Sequence, residues 1–494
     1  MIDESIFGSF YSVDQSKARF QKHSAFITLI SMSFGPLVML VITKVMDFVE
    51  LFFLTKRFSQ SSPIKPVQLQ GFSNFCSSAI IIIITYFSTA ISTRLGRFIG
   101  ESRKKDAVQF FTDVTKLGII FLILSLPFLQ FLIYPLLKFM KCPENMLSHC
   151  FSLVLITFSS SPFIFLFNIS CSFLQSVGRS FLNGLLHIIQ SIFQVVLLTP
   201  LFLFVFKIDI TFISLQWSIS QALIGLILFI MIYSNKFGYS VNFSTYPLPV
   251  LTATFQTLKN ALSSVVSFLC NVTPPIFFMR FLLSTVKSPE KVDSLAGIQS
   301  IYVKVDSLGS SVSLAVSIGF LTVGTFDYGA HDNRRLLKCF GFAILISVLF
   351  DAVFSCFMII EPNLISSIYL DSSIDIAFSK KILKIPFYTN WFSSINVMCK
   401  TLHLCIGKPL RASFLSFIEA FFLIFFSYVL SIRYTNQPEK VYMTYNISDI
   451  LLLILSVSLS AGTIHNLRKE IKVHDDTSIL VDKDLYEFGL NYRA

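Results

Sequence analysis

The sequence predicts an all-α polytopic membrane protein, with about twelve transmembrane helices in two parallel six-helix lobes around a central cleft. Three observations predict it. Of 494 residues, 54% are hydrophobic and 14% charged, with a mean hydropathy of +0.71, whereas soluble globular chains are about a quarter charged. Apolar runs of roughly 20 residues, long enough to cross a bilayer, recur along almost the whole chain. Two glycine-centred loop motifs also return later in the chain at one constant distance.

The first 23 residues, "MIDESIFGSFYSVDQSKARFQKH", are mixed and polar and lack the apolar core and small-residue cleavage site of a removable signal. The first span is therefore expected to act as its own insertion signal. Twelve spans follow, centred near residues 39, 83, 122, 158, 194, 222, 269, 309, 348, 391, 421 and 455. All are expected to be helices, because an isolated strand cannot satisfy its backbone in lipid and the alternation of a barrel is missing. The expected division is an amino-terminal tail 1–23, an amino lobe 24–235 holding spans 1–6, an inter-lobe loop 236–250, a carboxy lobe 251–466 holding spans 7–12, and a tail 467–494.

With the amino terminus inside, "RLGRFIGESRKK", "NRRLLK" and "RKEIK" all fall on the cytoplasmic side, so the Lys and Arg bias predicts that both termini are cytoplasmic. The net charge of +11 is explained by these loops and by anionic lipid, not by nucleic acid. The nine cysteines are scattered through apolar segments without metal or disulfide spacing and read as small buried hydrophobes.

The repeat joins "LQSVGRSFL" (Gly178, Arg179) to "LCIGKPLRA" (Gly407, Lys408), and "GRFIGESRKK" (Gly100) to "TFDYGAHDNRR" (Gly329). The offset is the same for both, since 407 − 178 = 329 − 100 = 229. Six spans per half make the second half enter the membrane in the same direction as the first, which gives parallel repeats. The glycines permit tight turns and the basic residues after them hold the loops at the surface.

On these residues the chain resembles the multidrug and toxic compound extrusion (MATE) family. "RLGRFIGESRKKDA" and "FDYGAHDNRRL" look like that family's loop after the second span of each lobe. "LQSVGRS" and "LCIGKPL" resemble its Gly-Lys/Arg-Pro turn after spans 4 and 10, and "LAGIQSIYVKVDSLGSSVSLAVSIG" resembles its span 8. The major facilitator superfamily shares the two-lobe plan but expects an Asp before the Arg in the loop after span 2, which "GRFIGESRKK" lacks, and usually a long central loop. The resemblance implies two six-helix bundles alternating between outward-open and inward-open shapes. It also implies export of amphipathic, often cationic, compounds in exchange for protons or sodium ions.

An ionisable side chain near the bilayer centre costs on the order of 3 kcal/mol, so each one inside a span is a functional candidate. Span 1, "GPLVMLVITKVMDFVELFF", carries Lys44, Asp47 and Glu50 below Pro36. At 100° per residue, Asp47 lies about 20° and Glu50 about 40° from the direction of Pro36, so the three share one stripe. Lys44 and Asp47 are one turn apart and can pair. Pro36 has no N–H to donate, so it leaves the carbonyl region near Met32 without its helical partner and lets the helix bend.

The resemblance puts an acid about fifteen positions after such a proline, where Glu50 stands. Glu50 is thus the candidate for binding the coupling cation, the alternative being a solvated residue at the outer interface. Asp47 either joins that site or neutralises Lys44. The family completes this site in span 5 with an Asn and, one turn later, an Asp; here Gln194 and Leu198 occupy those places. The amide is kept and the second carboxylate is lost, which favours proton coupling, or altered transport, over a high-affinity sodium site.

In the carboxy lobe, residues 251–289 contain no acid, and span 7 instead has the helix-disrupting Thr273–Pro275 and Arg280, which snorkels or lines the cavity. Lys304 and Asp306 in span 8 lie about 200° apart and must find different partners. Asp306 is the cation or proton candidate of this lobe. Asp351 and Glu419 either serve transport or pair between helices with Lys400 or Arg280. The candidate substrate cavity therefore gathers Pro36, Lys304, Arg280, Asp351, Glu419 and Asn396. His187, Gln190, Trp217, Gln221, Lys400 and His403 read as interhelical hydrogen bonds or interfacial anchors.

The leading functional reading is a secondary-active exporter of amphipathic cationic compounds. The alternative is a flippase for a lipid-linked oligosaccharide or another lipid, using Lys44, Lys304, Arg280 and Lys400 to hold phosphate. No His/Asp pair, metal-ligand cluster or phosphate loop stands where chemistry could occur, so an enzyme is not expected. No cofactor is expected beyond the coupling ion, H+ or Na+. The expected partners are the organic substrate and the bilayer, with the chain acting as a monomer.

Overall fold

The computed structural model describes residues 20, 23–58, 66–139, 144–237, 241, 250, 252–286, 289–362, 373–435 and 437–490. The expectations for most of the amino-terminal tail 1–23 and of the inter-lobe loop 236–250 lie outside the described residues. Among the described residues the regular elements are helical throughout. They are α1 Ala25–Phe58, α2 Pro66–Gly100, α3 Lys104–Phe139, α4 Glu144–Ser159, α5 Ser161–Ser176, α6 Ser180–Ile192, α7 Ser214–Tyr233, α8 Thr252–Ser284, α9 Pro289–Gly329, α10 Asn333–Ile360, α11 Ser373–Leu383, α12 Asn390–Cys405, α13 Pro409–Arg433 and α14 Met443–Leu490.

These helices make twelve passages, because α4 and α5 join at a 53° bend and α11 and α12 are joined through the 3-10 turn Pro386–Tyr388. Every predicted span centre falls inside one of them, the one near residue 194 in the π-helical continuation of α6 over Phe193–Leu198. Among the described residues nine helices are long and apolar enough to cross a membrane, and the bent pair is a tenth. The other two passages are α8, a continuous helix of 33 residues, and α11 with α12, of which α12 alone has 16 residues.

The repeat is written into the backbone. Gly178 and Gly407 both have positive φ, +78° and +72°, and Ser102 and His331, again 229 apart, have φ of 62° and 60°. At the end of α2, Ser102 N–H donates to Ile99 and Arg103 N–H to Phe98; at the end of α9, His331 donates to Tyr328 and Asp332 to Asp327. After α5, Gly178 donates to Gln175 and Arg179 to Leu174, and after α12 Gly407 donates to Leu404 and Lys408 to His403. Each helix thus ends in the same left-handed cap, which satisfies its last carbonyls before the chain turns.

Two local features place the helices that matter for the site. Pro36 lies inside α1 without ending it, and the carbonyl of Met32 that it leaves accepts instead from Ser180 Oγ and from Gln175 Nε2 at 3.2 Å. One turn further on, α1 and α6 touch backbone to backbone: a Cβ on Gly35 would collide with the carbonyl of Ser180, and one on Gly184 with Gly35 itself. Small residues allow this approach. Beyond Ile192, α6 widens into π-helical turns over Phe193–Leu198 and Leu201–Val205. Pro200 has no N–H to offer the carbonyl four residues earlier and its ring crowds that position, so the ladder lengthens around it. Thr199 Oγ1 donates to the Gln194 carbonyl at 3.0 Å.

The lobes meet most closely at one end. There Phe20 stacks on Phe326 with ring centroids 4.4 Å apart, Gln175 Nε2 donates to Thr322 at 3.2 Å, and Gly319 abuts Ser33. Arg335 of α10 donates to Asp327 at 2.9 Å, to Thr28 of α1 at 2.9 Å and to the carbonyl of Phe20. Tyr86 Oη donates to the Leu258 carbonyl at 2.8 Å. The turns at Gly100 and Gly329 belong to this sealed end, as does Phe20.

Candidate functional site

A polar cavity of about 520 Å³ lies away from that seal. Glu50 is 17 residues beyond Ser33 on α1, about 26 Å along the axis. The cavity wall takes Lys44, Asp47 and Glu50 from α1, Ser73 and Ser77 from α2, Gln194 from the π-helical part of α6, Trp217 from α7 and Lys304 and Ser307 from α9. It is therefore an amino-lobe chamber closed on one side by a carboxy-lobe helix.

Glu50 and Gln194 meet within it. Gln194 Nε2 donates to Glu50 Oε2 at 3.0 Å, Gln190 Nε2 donates to Gln194 Oε1 at 2.9 Å, and Gln190 also donates to Ser220 Oγ at 2.9 Å. The side chain of Gln216 faces the same carboxyl. Leu198, at the place where the resemblance expects a second carboxylate, is buried. The chamber thus offers one carboxyl group held by amides. Lys44 Nζ lies 3.8 Å from Asp47 Oδ2, and these two side chains are 35% and 61% exposed, so the pair is open to the chamber while Glu50 is tucked behind it. Lys304 reaches toward Asp47 from the other lobe.

The other predicted residues are not brought to this chamber. Pro36 is buried nearer the seal. Arg280 is exposed on α8. Lys400 Nζ pairs with Glu419 Oε2 at 2.6 Å between α12 and α13. Asn396 Oδ1 accepts from Ser456 of α14. Asp351 Oδ2 accepts from Ser313 at 2.7 Å and from Ser394. Asp306 lies within electrostatic reach of Asp351 and of Asp449, and Asp449 accepts from Thr389 at 2.9 Å. The carboxy lobe therefore collects three acids from α9, α10 and α14 in its own interior. Asp449 went unnoticed in the sequence because it sits at the polar start of the last span. Trp217 was read as an anchor, and nothing in its local pattern marks it as chamber wall.

A family model described as MatE matches residues 67–201 and 276–429, more than half of the chain. The chain belongs to the MATE family. No curated protein sequence matches it. Among solved structures, a MOP superfamily transporter from Pyrococcus furiosus, described as having a binding pocket of reverse polarity that suggests a different function, superposes with a TM-score of 0.84 at 13% identity, covering 93% of this chain and 99% of that one. An outward-facing multidrug resistance MATE family transporter gives the same figures, and a MATE crystallised with MaL6 gives 0.82 at 14% over 93% and 100%. These likenesses establish the fold. The protein is an integral, multi-pass membrane transporter of the MATE family.

Proposed function

We propose that this MATE-family chain is a secondary-active exporter of amphipathic, cationic organic compounds, with both termini cytoplasmic, working by alternating access of its lobes. The observation that carries the reading is the hydrogen bond from Gln194 to Glu50 at the wall of the 520 Å³ chamber. A carboxyl group that gains and loses charge there changes how strongly α1 is held to α6, and a proton taken from the outer side alters lobe packing so that substrate is released. With Leu198 replacing a second carboxylate, a single acid and its amides suit a proton better than a sodium ion. Asp47 is proposed as the neighbour that exchanges charge with the chamber, and Asp306 as the carboxy-lobe proton group. Trp217 supplies an aromatic face of the kind that attracts organic cations.

The flippase alternative needs free basic groups for phosphate. Lys44 is paired with Asp47, Lys400 with Glu419, Lys304 at the chamber wall faces Asp47 as well, and Arg280 is exposed on α8, which disfavours it. The deciding test is Glu50→Gln in proteoliposomes. Efflux driven by a pH gradient is expected to disappear while the protein remains folded; undiminished efflux removes Glu50 from the coupling step.

A further inference from the structure

A second, smaller cavity of about 60 Å³ lies in the seam between the lobes at the sealed end, several times the room one water needs. α2 lines it with Thr89, Thr93, Arg94 and Arg97, α8 with Thr257, and the turn between α12 and α13 with Gly407. Both lobes build it, and its polar wall is two guanidinium groups and three hydroxyls. No acidic residue among the described residues lines it.

The acids nearby are already engaged. Arg103 holds Asp106 at 2.6 Å and Glu101 at 3.4 Å. Arg94 and Arg97 rest instead on aromatic rings, 4.4 Å from the Phe98 centroid and 4.8 Å from that of Tyr328. Such contacts use the flat face of the guanidinium and leave its in-plane donors to other partners. Nε of Arg94 is buried with no hydrogen-bond partner among the described residues. Gly407 leaves space for the second fork, since a Cβ there would stand 3.2 Å from a terminal nitrogen of Arg97.

A buried donor without an acceptor costs about 1–3 kcal/mol, and two like charges one helical turn apart repel each other. An oxyanion in the pocket offsets the repulsion between the two guanidinium groups that line it. The guanidinium fork matches the paired oxygens of phosphate. Arg97 and Arg94 lie three and six residues before the end of α2 at Gly100, about 4.5 and 9 Å along the helix, a depth suited to lipid headgroups rather than hydrocarbon.

We propose that this seam pocket binds a phosphate group, from an anionic lipid headgroup or from free phosphate, and that the bound anion favours the conformation in which this end is sealed. Its walls come from both lobes, so the anion binds best when they are together. The proposal does not depend on which ion or substrate the transporter carries.

The test is thermal unfolding of the purified full chain with short-chain phosphatidic acid, phosphatidylcholine of equal chain length, or inorganic phosphate. Phosphatidic acid is expected to raise the midpoint by several degrees, saturably, and phosphatidylcholine to leave it unchanged. An equal rise with inorganic phosphate assigns the free ion; a rise with phosphatidic acid alone assigns the lipid. Arg94→Gln with Arg97→Gln should abolish the response, whereas Lys105→Gln, a basic change outside the pocket, should keep it. Should the double variant fail to fold, Thr257→Val on the opposite wall should still reduce the shift. No response of the native chain to either phosphate source, or an undiminished response in the pocket variants, overturns the proposal.

Discussion

Gln194 Nε2 donates to Glu50 Oε2 across 3.0 Å, tying α1 to the widened stretch of α6. The amide is oriented by Gln190, which is itself anchored on Ser220. A chain of three polar residues on α6 and α7 therefore presents one donor to one carboxyl group. In a low-dielectric interior such a donor matters more than at a surface.

Gln194→Leu removes that donor while keeping the volume apolar. A hydrogen bond to a charged group is worth about 1.5–3 kcal/mol, so pH-driven efflux is expected to fall by about tenfold or more. Efflux rates in proteoliposomes check this, with the unfolding midpoint as control. A native rate would mean that the carboxyl works without the amide.

Lys400 and Glu419 form a short, largely buried pair, their side chains 15% and 23% exposed. Lys400→Met leaves the carboxylate uncompensated and is expected to destabilise by about 3 kcal/mol, whereas Lys400→Met with Glu419→Gln should recover most of that loss. Thermal midpoints of the three proteins decide it. Equal loss in the single and double variants would show that packing, not charge, is what the pair contributes.

Gly35→Ala should be poorly tolerated, because its Cβ would run into the backbone of Ser180. Gly341→Ala is the matched control, since a Cβ there meets nothing within 4 Å. The yield of folded protein from membranes is expected to drop severalfold for the first and to stay native for the second.

Arg335 of α10 reaches α9 through Asp327, α1 through Thr28 and the segment leading into α1 through the Phe20 carbonyl. Arg335→Gln loses the ion pair and loosens the seal. In a cysteine-free background, a cysteine placed by Ser33→Cys, which is buried beside Gly319, should react severalfold faster with a maleimide in this variant. Identical labelling rates would show that the lobes are held without Arg335.

Much of this was legible in the sequence because it is local. Apolar runs located all twelve passages, and the glycine loops 229 residues apart reappear as matching left-handed caps at Gly178 and Gly407. Glu50 stands out as an acid inside a span, and the family resemblance is what points to its position after Pro36 and to Gln194 after the Gly178 turn. The lobes also differ in a way that one chain alone reveals: the positions 229 beyond Glu50 and Gln194 are Met279 and Leu423, so the amino-lobe arrangement has no polar copy.

Other relationships belong to helix rotation and crossing, which no short stretch encodes. The sequence alone determined membrane residence, helix number, the parallel repeat and the candidate carboxyl group, since hydropathy and turn chemistry act within a few residues. Only the tertiary structure decided that Lys400 takes Glu419 rather than Asp351, that Trp217 faces the chamber, and that Arg94 and Arg97 face a seam. Each of those outcomes depends on which faces of distant helices meet, and in lipid that choice is made by close packing and by the need to give every buried polar group a partner.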